Sequence, residues 1–499
     1  MPARKPRGKI VGNQFSAALV EPAIMTLLQN VVGVLTARGA PAYLVGGFVR
    51  DALLGREMAD VDIAVAGDAL AAGQALAEAL GGTYVLLDAE NRIARVVVKG
   101  HPDVDLSSFT GTIEQDLARR DFTIDAMALD LPGLMAGAVS VLDPFHGMDD
   151  LDHGIVRSVS ETSLPDDPVR LLRAVRLAGE LGFAIAHKTE GQVRRSAGLL
   201  ARVAGERVRE ELLRIFDVSR GGRFLSTLDE LGLLDVLFPE MTPTRGVTQP
   251  AEHHWDVFQH SIHAVSAVDF ILHQGVWDYP APGVLEAVPW SEACAQHFED
   301  LVGGGCTRRT LLKLVAFLHD VAKPQTKALD ETGRMRFLGH NEQGEAVVMQ
   351  ILQRLRFSTR ETKLAGIMVK YHLRPTQIGE PPSARAIYRY FRDTGDAGVD
   401  ILYLSLADHL ATRGPDLIPS HWREHAGNVR YVLDEHYRRV VTVPPQKLVD
   451  GNDIMDVFRL APGKRVGELL EMVREAQAAG ELTTRQEALD YIRWKVRTP

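Results

Sequence analysis

The chain has 499 residues, which is too long for one core, so two to four domains are expected. An apolar content of 45% with 24% charged residues is ordinary for a globular protein, and only two cysteines argue against a disulfide scaffold and suit a reducing cytoplasm. The net charge of −9 argues against a wholly basic coat for nucleic acid, but it is compatible with RNA binding through a local basic patch.

Membrane insertion and secretion are not expected. No apolar run approaches the roughly 20 residues that span a bilayer. Residues 1–7 are basic but are not followed by an apolar segment, which is typical of a frayed tail rather than of a signal peptide. We therefore expect a cytoplasmic protein with no membrane partner.

Strand-like runs cluster early in the chain, and helical periods dominate after about Arg157. The predicted strands are Tyr43–Val45, Val61–Val65, Thr83–Leu87, Ala94–Lys99 and Val104–Phe109, with a predicted helix at Ala69–Leu80. This order predicts an α/β head followed by a long all-α region. Proline and glycine concentrate near residues 159–165, 239–250, 276–289, 413–419 and 443–445, where we expect breaks.

The first chemical motif is the glycine pair Gly46-Gly47, which separates an apolar strand from a predicted helix at Phe48–Leu54. Glycine lets backbone amides approach a ligand closely, and the start of a helix offers free N–H groups and a positive dipole end to phosphate. Arg50 adds a fork of donors suited to phosphate oxygens. A Gly-Gly pair alone is more often an ordinary turn, so this interpretation depends on the residues that follow.

Carboxylates follow on the next strands. Asp60 and Asp62 are two residues apart on a strand, so their side chains share a face. Neighbouring carboxylates repel unless they are protonated or bridged by cations, and a Mg²⁺ pair roughly 3.5–4 Å apart would satisfy both. Asp105, on a later strand, is either a third carboxylate of the same site or a surface aspartate on an edge strand.

Two further segments combine basic and acidic side chains. The paired arginines of Arg119-Arg120-Asp121 can neutralise a triphosphate or a primer phosphate, although alone they would indicate a solvated turn. Asp167 precedes a proline and is well placed to cap a helix. Arg170 shares its face, and a carboxylate beside a guanidinium can imitate a complementary base edge. We expect Asp167 both to cap the helix and to read the base.

The second half of the chain carries histidines and aspartates on helical stretches. A single histidine is usually structural, but adjacent His319-Asp320 after an apolar run is a different signal. Imidazole and carboxylate together suit a divalent cation, and water on such a cation can cleave a phosphate ester. The full candidate set is His260, His319, Asp320, His340, His372 and Asp408.

The motifs of the first half resemble the nucleotidyltransferase head of the polymerase-beta superfamily, specifically the bacterial and eukaryotic tRNA nucleotidyltransferase and poly(A) polymerase family. The chain has counterparts of the GGxVRD, DxDI, RRDFTxNA and EDxxR motifs of that family. It departs from them in having Thr110 for an arginine, Asp125 for an asparagine, His146 for a glycine and Asp166 for a glutamate.

The resemblance implies template-independent addition of CCA from CTP and ATP to the 3′ end of tRNA, with Mg²⁺ on Asp60 and Asp62 and with Asp105 as the third catalytic carboxylate. The implied nucleotide-binding residues are Gly46, Gly47, Arg50, Arg119, Arg120, Asp121, Asp167, Arg170, Arg173 and Arg176. Two interpretations stay open for a further set of arginines, a basic face for tRNA or scattered solvated side chains: Arg173, Arg176, Arg194, Arg195 and Arg202. A poly(A) polymerase, or an enzyme that adds only CC or only A, shares every motif.

The order of histidines and aspartates in the second half resembles the HD superfamily of metal-dependent phosphohydrolases. The resemblance implies one metal, of unknown identity, on His260, His319, Asp320 and Asp408. It implies a second metal or a phosphate at His340 and His372, with Lys323 also near phosphate. Such domains also occur as purely structural bundles, and a mainly hydrolytic enzyme with an RNA-binding head remains an alternative.

Four domains are predicted from these observations. They are a nucleotidyltransferase head (residues 1–157), a helical neck (158–245), an HD domain (246–415) with an insertion near 276–309, and a helical tail (416–499).

Overall fold

The chain divides into two units. The computed structural model describes residues 13–58, 60–279, 281–441 and 447–497. The first unit comprises residues 1–203 with 231–236, and the second comprises residues 204–230 with 237–499. The predicted basic tail at residues 1–7 and the predicted break at 443–445 lie outside the described residues. Within the described part, no helix is long and apolar enough to cross a membrane.

The first unit is built on a mixed sheet of six strands. The strands of the whole unit, including those outside this sheet, are β1 (Gln14–Ser16), β2 (Ala42–Val45), β3 (Asp60–Ala66), β4 (Thr83–Asp88), β5 (Ile93–Val97), β6 (Asp103–Phe109), β7 (Ala128–Asp130), β8 (Ala138–Ser140), β9 (Ile155–Val156) and β10 (Ala184–Ile185). The order in the main sheet is β4-β5-β6-β3-β2-β7. Only the β3–β6 pair in that sheet is parallel. This places β3 and β6 at the centre, where the sequence has its aspartates.

Nine helices accompany these strands among the described residues up to Ala197: α1 (Pro22–Ala37), α2 (Gly47–Leu54), α3 (Ala69–Leu80), α4 (Ile113–Leu117), α5 (Leu131–Met135), α6 (Gly147–His153), α7 (Ser163–Asp166), α8 (Arg170–Leu181) and α9 (His187–Ser196). Helix α3 has the predicted bounds because Asp68 caps its first turn and Gly81, at φ +63°, ends it. Gly55 ends α2 in the same left-handed conformation, as predicted.

The remainder of the described chain is almost wholly helical. Its helices are α10 (Gly205–Asp217), α11 (Gly221–Glu230), α12 (Leu234–Leu237), α13 (Val257–Ile271), α14 (Val284–Ala287), α15 (Glu292–Glu299), α16 (Arg308–Leu318), α17 (Lys323–Thr326), α18 (His340–Arg354), α19 (Thr359–Tyr371), α20 (Ala384–Thr394), α21 (Gly398–Arg413), α22 (Pro419–Val441), α23 (Gly451–Phe458), α24 (Lys464–Ala478) and α25 (Arg485–Arg497). Two short hairpins interrupt them: β11 (Leu301–Gly303) with β12 (Cys306–Thr307), and β13 (Lys327–Leu329) with β14 (Met335–Phe337).

The core of the second unit is formed by three helices, α13, α16 and α21, which pack against one another. Each is buried around most of its circumference. A helix that is apolar on all sides belongs in the middle of a domain. The same three helices carry His260, lead into His319 and carry Asp408, so the core brings these side chains together.

The predicted fold class, an α/β head followed by a helical region with an HD domain, is confirmed. The short strands β1 and β7 to β14 were not predicted, because two or three residues carry too little alternation to be recognised. The predicted break at 159–165 was wrong at its end, since α7 begins at Ser163. The four-domain division stays a prediction.

Candidate active site and metal centre

The glycine turn between β2 and α2 is the tightest point of the first site. Gly46 has φ +67°, a conformation that favours glycine. A Cβ at Gly46 would lie 3.0 Å from Nη1 of Arg120 and 3.1 Å from Oδ2 of Asp62. The turn, a cationic side chain and a carboxylate therefore meet at one place, and Gly47 begins the helix beside them.

The aspartates of β3 and β6 form two adjacent rows. In the parallel register Asp60 lies beside Asp103, and Asp62 lies beside Asp105. Burial raises the pKa of Asp62 to about 6; Arg120 opposes this rise, and the carboxylates of Asp105 and Asp60 add to it. A divalent cation would relieve the repulsion, and oxygen donors are what Mg²⁺ prefers. The carboxylate oxygens of Asp60, Asp62 and Asp105 do not, however, converge within 4.8 Å of one another, as the ligand atoms of the second unit do.

Asp105 is held by an arginine that the sequence reasoning missed. Nε of Arg95 donates to Oδ1 of Asp105 at 2.7 Å, and Nη2 donates to Oδ2 at 2.8 Å. Because β6 lies between β5 and β3, the alternative of an edge-strand aspartate was wrong. The available signal was the alternation of β5, which buries Ala94 and Val96 and turns Arg95 to the other face.

Arg50 uses three of its five N–H donors on carboxylates. Its Nε and Nη2 donate to Asp51 at 3.0 and 2.8 Å, and its Nη1 donates to Oδ1 of Asp125 at 2.6 Å. Asp125 is buried, and burial raises its pKa although Arg50 favours its ionised form. Asp125, which stands where the family motif has an asparagine, is therefore the partner of Arg50. Phosphate binding by Arg50 stays a prediction.

Arg119 and Arg120 share a carboxylate but differ in exposure. Arg119 lies 2.5 Å and Arg120 lies 3.4 Å from the oxygens of Asp116. The side chain of Arg119 is 68% exposed, whereas that of Arg120 is 22% exposed and reaches the glycine turn. The structure thus places Arg120 beside the carboxylates, and Arg119 at the surface.

Asp121 is a buried carboxylate with two nearby arginines. Nη1 of Arg173 donates to its Oδ2 at 2.8 Å, and the amide of Phe122 donates to its Oδ1 at 2.9 Å. Although burial acts in the opposite direction, Arg173 and Arg170 hold the pKa of Asp121 below its usual value. The predicted residues Asp121, Arg170 and Arg173 therefore do meet.

The predicted capping role of Asp167 was wrong. Helix α8 begins at Arg170 with Val169 as its N-cap, because Pro168 and Val169 form a tighter turn in which the Arg170 amide donates to the Asp167 carbonyl at 3.0 Å. The side chains of Asp167 and Arg170 nevertheless lie together, with Oδ2 and Nε 3.6 Å apart. Nearly two turns further on, Nη1 of Arg176 donates to both carboxylate oxygens of Glu180.

The second constellation is a buried cluster in the second unit. His319 directly follows α16, Asp320 comes next, His340 begins α18, and His372 directly follows α19, while α13 and α21 supply the last two members. We call this set the histidine cluster: His260, His319, Asp320, His340, His372 and Asp408. All are buried except Asp408, which is half-buried.

Asp320 joins two trios of ligand atoms, each lying within 4.8 Å of one another: His260, His319 and Asp320, and Asp320, His340 and His372. Its Oδ2 lies 3.3 Å from Nε2 of His319 and 3.5 Å from Nε2 of His260. Its Oδ1 lies 3.4 Å from Nε2 of His340 and 3.9 Å from Nε2 of His372. One carboxylate thus presents a separate oxygen to each trio.

Asp408 lies beside the first trio as a fourth side chain, with its Oδ1 3.1 Å from Nε2 of His260. The ammonium of Lys323 lies 2.6 Å from Oδ2 of Asp320. Neither oxygen of the 1% exposed Asp320 accepts a well-directed hydrogen bond within the described residues. A buried carboxylate in this state fits two cations better than it fits a purely structural role.

Backbone carbonyls orient three of the imidazoles. Nδ1 of His319, His340 and His372 lies 2.8, 2.6 and 2.6 Å from a carbonyl oxygen three residues earlier, so each Nδ1–H donates to it. In a neutral ring this tautomer leaves Nε2 as the acceptor, facing Asp320, which is the arrangement typical of metal-binding histidines.

The charges of the cluster are strongly coupled. Burial alone would lower the pKa of His319, but Asp320 and Asp408 outweigh it and raise this pKa to about 10. Although burial acts in the opposite direction, His319 and Lys323 hold the pKa of Asp320 well below the usual range, and His260 and His319 do the same for Asp408. By contrast, burial lowers the pKa of His372 to about 3, with the neighbouring His319 acting in the same direction. His372 is therefore a neutral ligand at neutral pH.

Comparison with protein-family models gives three matches along the chain. Residues 42–157 match the poly A polymerase head domain, residues 182–244 match the probable RNA and SrmB-binding site of polymerase A, and residues 292–413 match the HD domain. His260 precedes the last of these ranges. The fold and the two sites together define a nucleotidyltransferase with an HD domain.

Relatives among characterised proteins narrow this class. The chain is 36% identical over 474 residues to the A-adding tRNA nucleotidyltransferase of Deinococcus radiodurans, covering 92% of this chain and 96% of the relative. It is 34% identical over 458 residues to the CC-adding tRNA nucleotidyltransferase of Thermus thermophilus, covering 90% and 93%. The chain belongs to the tRNA nucleotidyltransferase family, and it is an enzyme of the nucleotidyltransferase type.

Solved structures confirm the fold. The Thermotoga maritima CCA-adding enzyme in complex with tRNA aligns with a TM-score of 0.62 at 22% identity, covering 97% of this chain and 100% of that one. A CCA-adding enzyme in complex with ATP aligns with a TM-score of 0.65 at 21% identity, covering 98% and 99%.

Proposed function

We propose that this protein adds CCA to the 3′ end of tRNA from CTP and ATP without a nucleic-acid template. The observation that carries the proposal is the meeting of Gly46, Arg120 and Asp62 beside the carboxylates of β6. Free amides, a guanidinium and a row of carboxylates in one place are the parts that phosphoryl transfer requires. Membership of the tRNA nucleotidyltransferase family supports the choice of substrate.

In this proposal Asp60, Asp62 and Asp105 hold Mg²⁺. The metal, when bound, stabilises charge on the attacking and leaving oxygens. The amides at the start of α2, together with Arg120, bind the triphosphate and orient it toward the carboxylates. Catalysis by these side chains consists of positioning and charge neutralisation rather than covalent chemistry.

Base and sugar selection is assigned to the residues around α8. The adjacent side chains of Asp167 and Arg170 offer an acceptor and donors to a base edge. Arg173 keeps Asp121 ionised, so that this carboxylate can accept a hydrogen bond from a ribose hydroxyl. The pairing of Arg176 with Glu180 favours a supporting role for Arg176 in the helix over direct contact with nucleotide.

Partial addition is the second candidate, and the comparisons favour weighing it seriously. Two relatives that match over nine-tenths of this chain are named for adding only A and for adding only CC. Proteins named as multifunctional CCA proteins match a smaller part, for example 66% of this chain for that of Nitrosococcus oceani. Both activities would use the same residues described above.

Extension of three tRNA transcripts, ending before CCA, after C and after CC, tests these alternatives. Each is incubated with Mg²⁺ and CTP, ATP or both, and products are resolved at single-nucleotide length. Stepwise C, C, A addition that stops supports full CCA addition, whereas CC alone or A alone supports partial addition. Long A tails would move the assignment to poly(A) polymerase. Asp62→Asn should abolish extension, and exposed Asp149→Asn is the matched control.

For the second unit we propose metal-dependent cleavage of phosphate esters. The supporting observation is Asp320, which presents one oxygen to each of two histidine trios. Lys323, beside it, is placed to neutralise a phosphate. The test is hydrolysis of bis-p-nitrophenyl phosphate with Mn²⁺, Mg²⁺ or Ni²⁺. Asp320→Asn should abolish hydrolysis and leave tRNA extension intact, whereas Asp62→Asn should abolish extension and leave hydrolysis intact. Absence of hydrolysis in both the wild type and Asp62→Asn would assign the histidine cluster a structural role.

We also propose a cytoplasmic location, which suits the tRNA substrate and the two buried free cysteines, Cys294 and Cys306. The four-domain division is retained as a proposal. Limited proteolysis with mass spectrometry would test it through cleavage near residues 157, 245 and 415.

A further inference from the structure

Three neighbouring strands of the first unit carry charged residues at matching positions. In the order β3, β6 and β5, the side chains of Asp62, Asp105 and Arg95 lie side by side, because Asp62 pairs with Asp105 in register and Asp105 pairs with Arg95. Next to them, Nη1 of Arg95 lies 3.3 Å from Oδ2 of Asp103. Arg95 thus lies at the end of the carboxylate row that is farther from the glycine turn.

The contact between Arg95 and Asp105 is a two-pronged one. The guanidinium donates one hydrogen bond to each oxygen of the carboxylate. Such forked pairs fix the plane of the carboxylate as well as its distance. A carboxylate offers about four lone-pair directions, so one on each oxygen remains open after the fork has formed. Arg95 reaches Asp105 from β5, whereas Asp62 lies on the strand on the other side of β6, β3.

Charge balance gives the pair a second consequence. Four aspartates, Asp60, Asp62, Asp103 and Asp105, lie on two adjacent strands. Like charges this close repel one another unless cations lie beside them. Arg95 is the cation that contacts the β6 members, whereas Arg120 lies beside Asp62.

We infer that Arg95 is a positioning residue of the transfer site: its forked hydrogen bonds fix Asp105 beside Asp62, so that Asp105 completes the carboxylate set for a divalent cation. This inference rests on the proposed function of the first unit. It extends that function to a residue on a third strand, which does not itself touch nucleotide. The alternative is that Arg95 only fastens β5 to β6.

Direct Mn²⁺ binding, followed by electron paramagnetic resonance, distinguishes the two roles. All proteins are full-length and carry Asp320→Asn to weaken binding at the histidine cluster, and Asp62→Asn in that background defines binding elsewhere. Arg95→Met should weaken Mn²⁺ binding by about 10- to 100-fold, as is usual when a residue behind a metal ligand is removed. Arg95→Lys keeps the charge but not the fork, so its affinity should lie in between.

Transfer kinetics provide the second measurement. Arg95→Met should lower kcat and raise the Mg²⁺ concentration for half-maximal rate, with little change in the KM for CTP. In an Asp105→Asn background, Arg95→Met should have no additional effect on either. Exposed Arg92→Gln, just before β5, is the matched loss of charge and should behave as wild type.

Unchanged Mn²⁺ affinity in Arg95→Met, whatever happens to thermal stability, would overturn the inference and leave Arg95 as a strand fastener. Tighter Mn²⁺ binding would also overturn it, because Arg95 would then be withholding Asp105 from the cation. Failure of the wild type to extend tRNA would count against the proposed function alone, since Mn²⁺ binding is measured without tRNA or nucleotide.

Discussion

Replacing Asp62 with asparagine should stabilise the metal-free first unit at neutral pH while abolishing nucleotide transfer. Asp62 is half-buried on the central strand β3, and burial is the main reason why its ionised form is disfavoured; Arg120 acts in the opposite direction, and the neighbouring carboxylates of Asp105 and Asp60 add to the effect of burial. The buried Asp125 also disfavours its ionised form. Asparagine has nearly the same shape and carries no charge, so it removes the repulsion and keeps the packing.

The size of the effect follows from the pKa of Asp62, which burial raises from 3.8 to about 6. A shift of about 2 pH units at 1.36 kcal/mol per unit gives about 3 kcal/mol, which is an upper bound because the chain relaxes around the charge. The folded state binds this proton more tightly than the unfolded state. The cost of ionisation is therefore absent below about pH 4, grows up to about pH 6 and is complete above it.

Hydrogen exchange of the β3 amides, read by mass spectrometry with EDTA present, measures this gain. Tryptophan fluorescence would not serve, because Trp255, Trp277, Trp290, Trp422 and Trp494 all lie outside the first unit. Protection should rise in Asp62→Asn at about pH 7.5 and match wild type at about pH 4. Unchanged or reduced protection at neutral pH, or a gain that persists in acid, would refute the reasoning. The control, Asp105→Asn, should lose protection because it breaks the fork of Arg95.

Three further predictions follow from close contacts. Gly46→Ala should slow single-nucleotide extension by about 100-fold, since its Cβ would displace Arg120 or Asp62; Gly39→Ala, with the similar φ of +66° but nothing nearby, should not slow it. Arg173→Ala should destabilise the first unit by about 3 kcal/mol in urea, measured by circular dichroism, because it removes the arginine that is hydrogen-bonded to the buried Asp121 charge. Lys313→Met should cost the second unit about 3–5 kcal/mol by tryptophan fluorescence, because the ammonium lies 2.5 Å from buried Asp269; exposed Lys327→Met should cost little.

The elements of the first unit were predictable because their signals are local. Helix α3 has a capping aspartate, an apolar stripe and a terminal glycine within one short stretch. Strand β3 alternates buried and accessible residues at its start, which is why Asp60 and Asp62 could be placed on one face. The glycine turn was predictable for the same reason, since strand, turn and helix follow one another directly.

The partners of the charged residues were not predictable, because they depend on register between distant segments. Nothing near Arg95 in sequence indicates that it faces Asp105, and a shift of one residue would turn it to the other face of the sheet. Arg50 likewise meets Asp125 only through the fold. The start of α8 was misjudged for a local reason: the Asp-Pro signal fits both a cap and the tighter turn that the chain adopts.

The histidine cluster shows what residue type can indicate before geometry is known. His260 and Asp408 lie far apart in the sequence, yet the resemblance of their order to the HD superfamily predicted a shared site, and helices α13 and α21 bring them to 3.1 Å. The backbone carbonyls that orient the imidazole rings of His319, His340 and His372 could not be predicted from the sequence. In both sites, the side chains proposed to act in chemistry lie in unfavourable surroundings. Asp62 is half-buried among other carboxylates, and the buried Asp320 accepts no well-directed hydrogen bond from the described residues. Local conflict of this kind costs stability, and a protein keeps it where a bound cation removes the conflict.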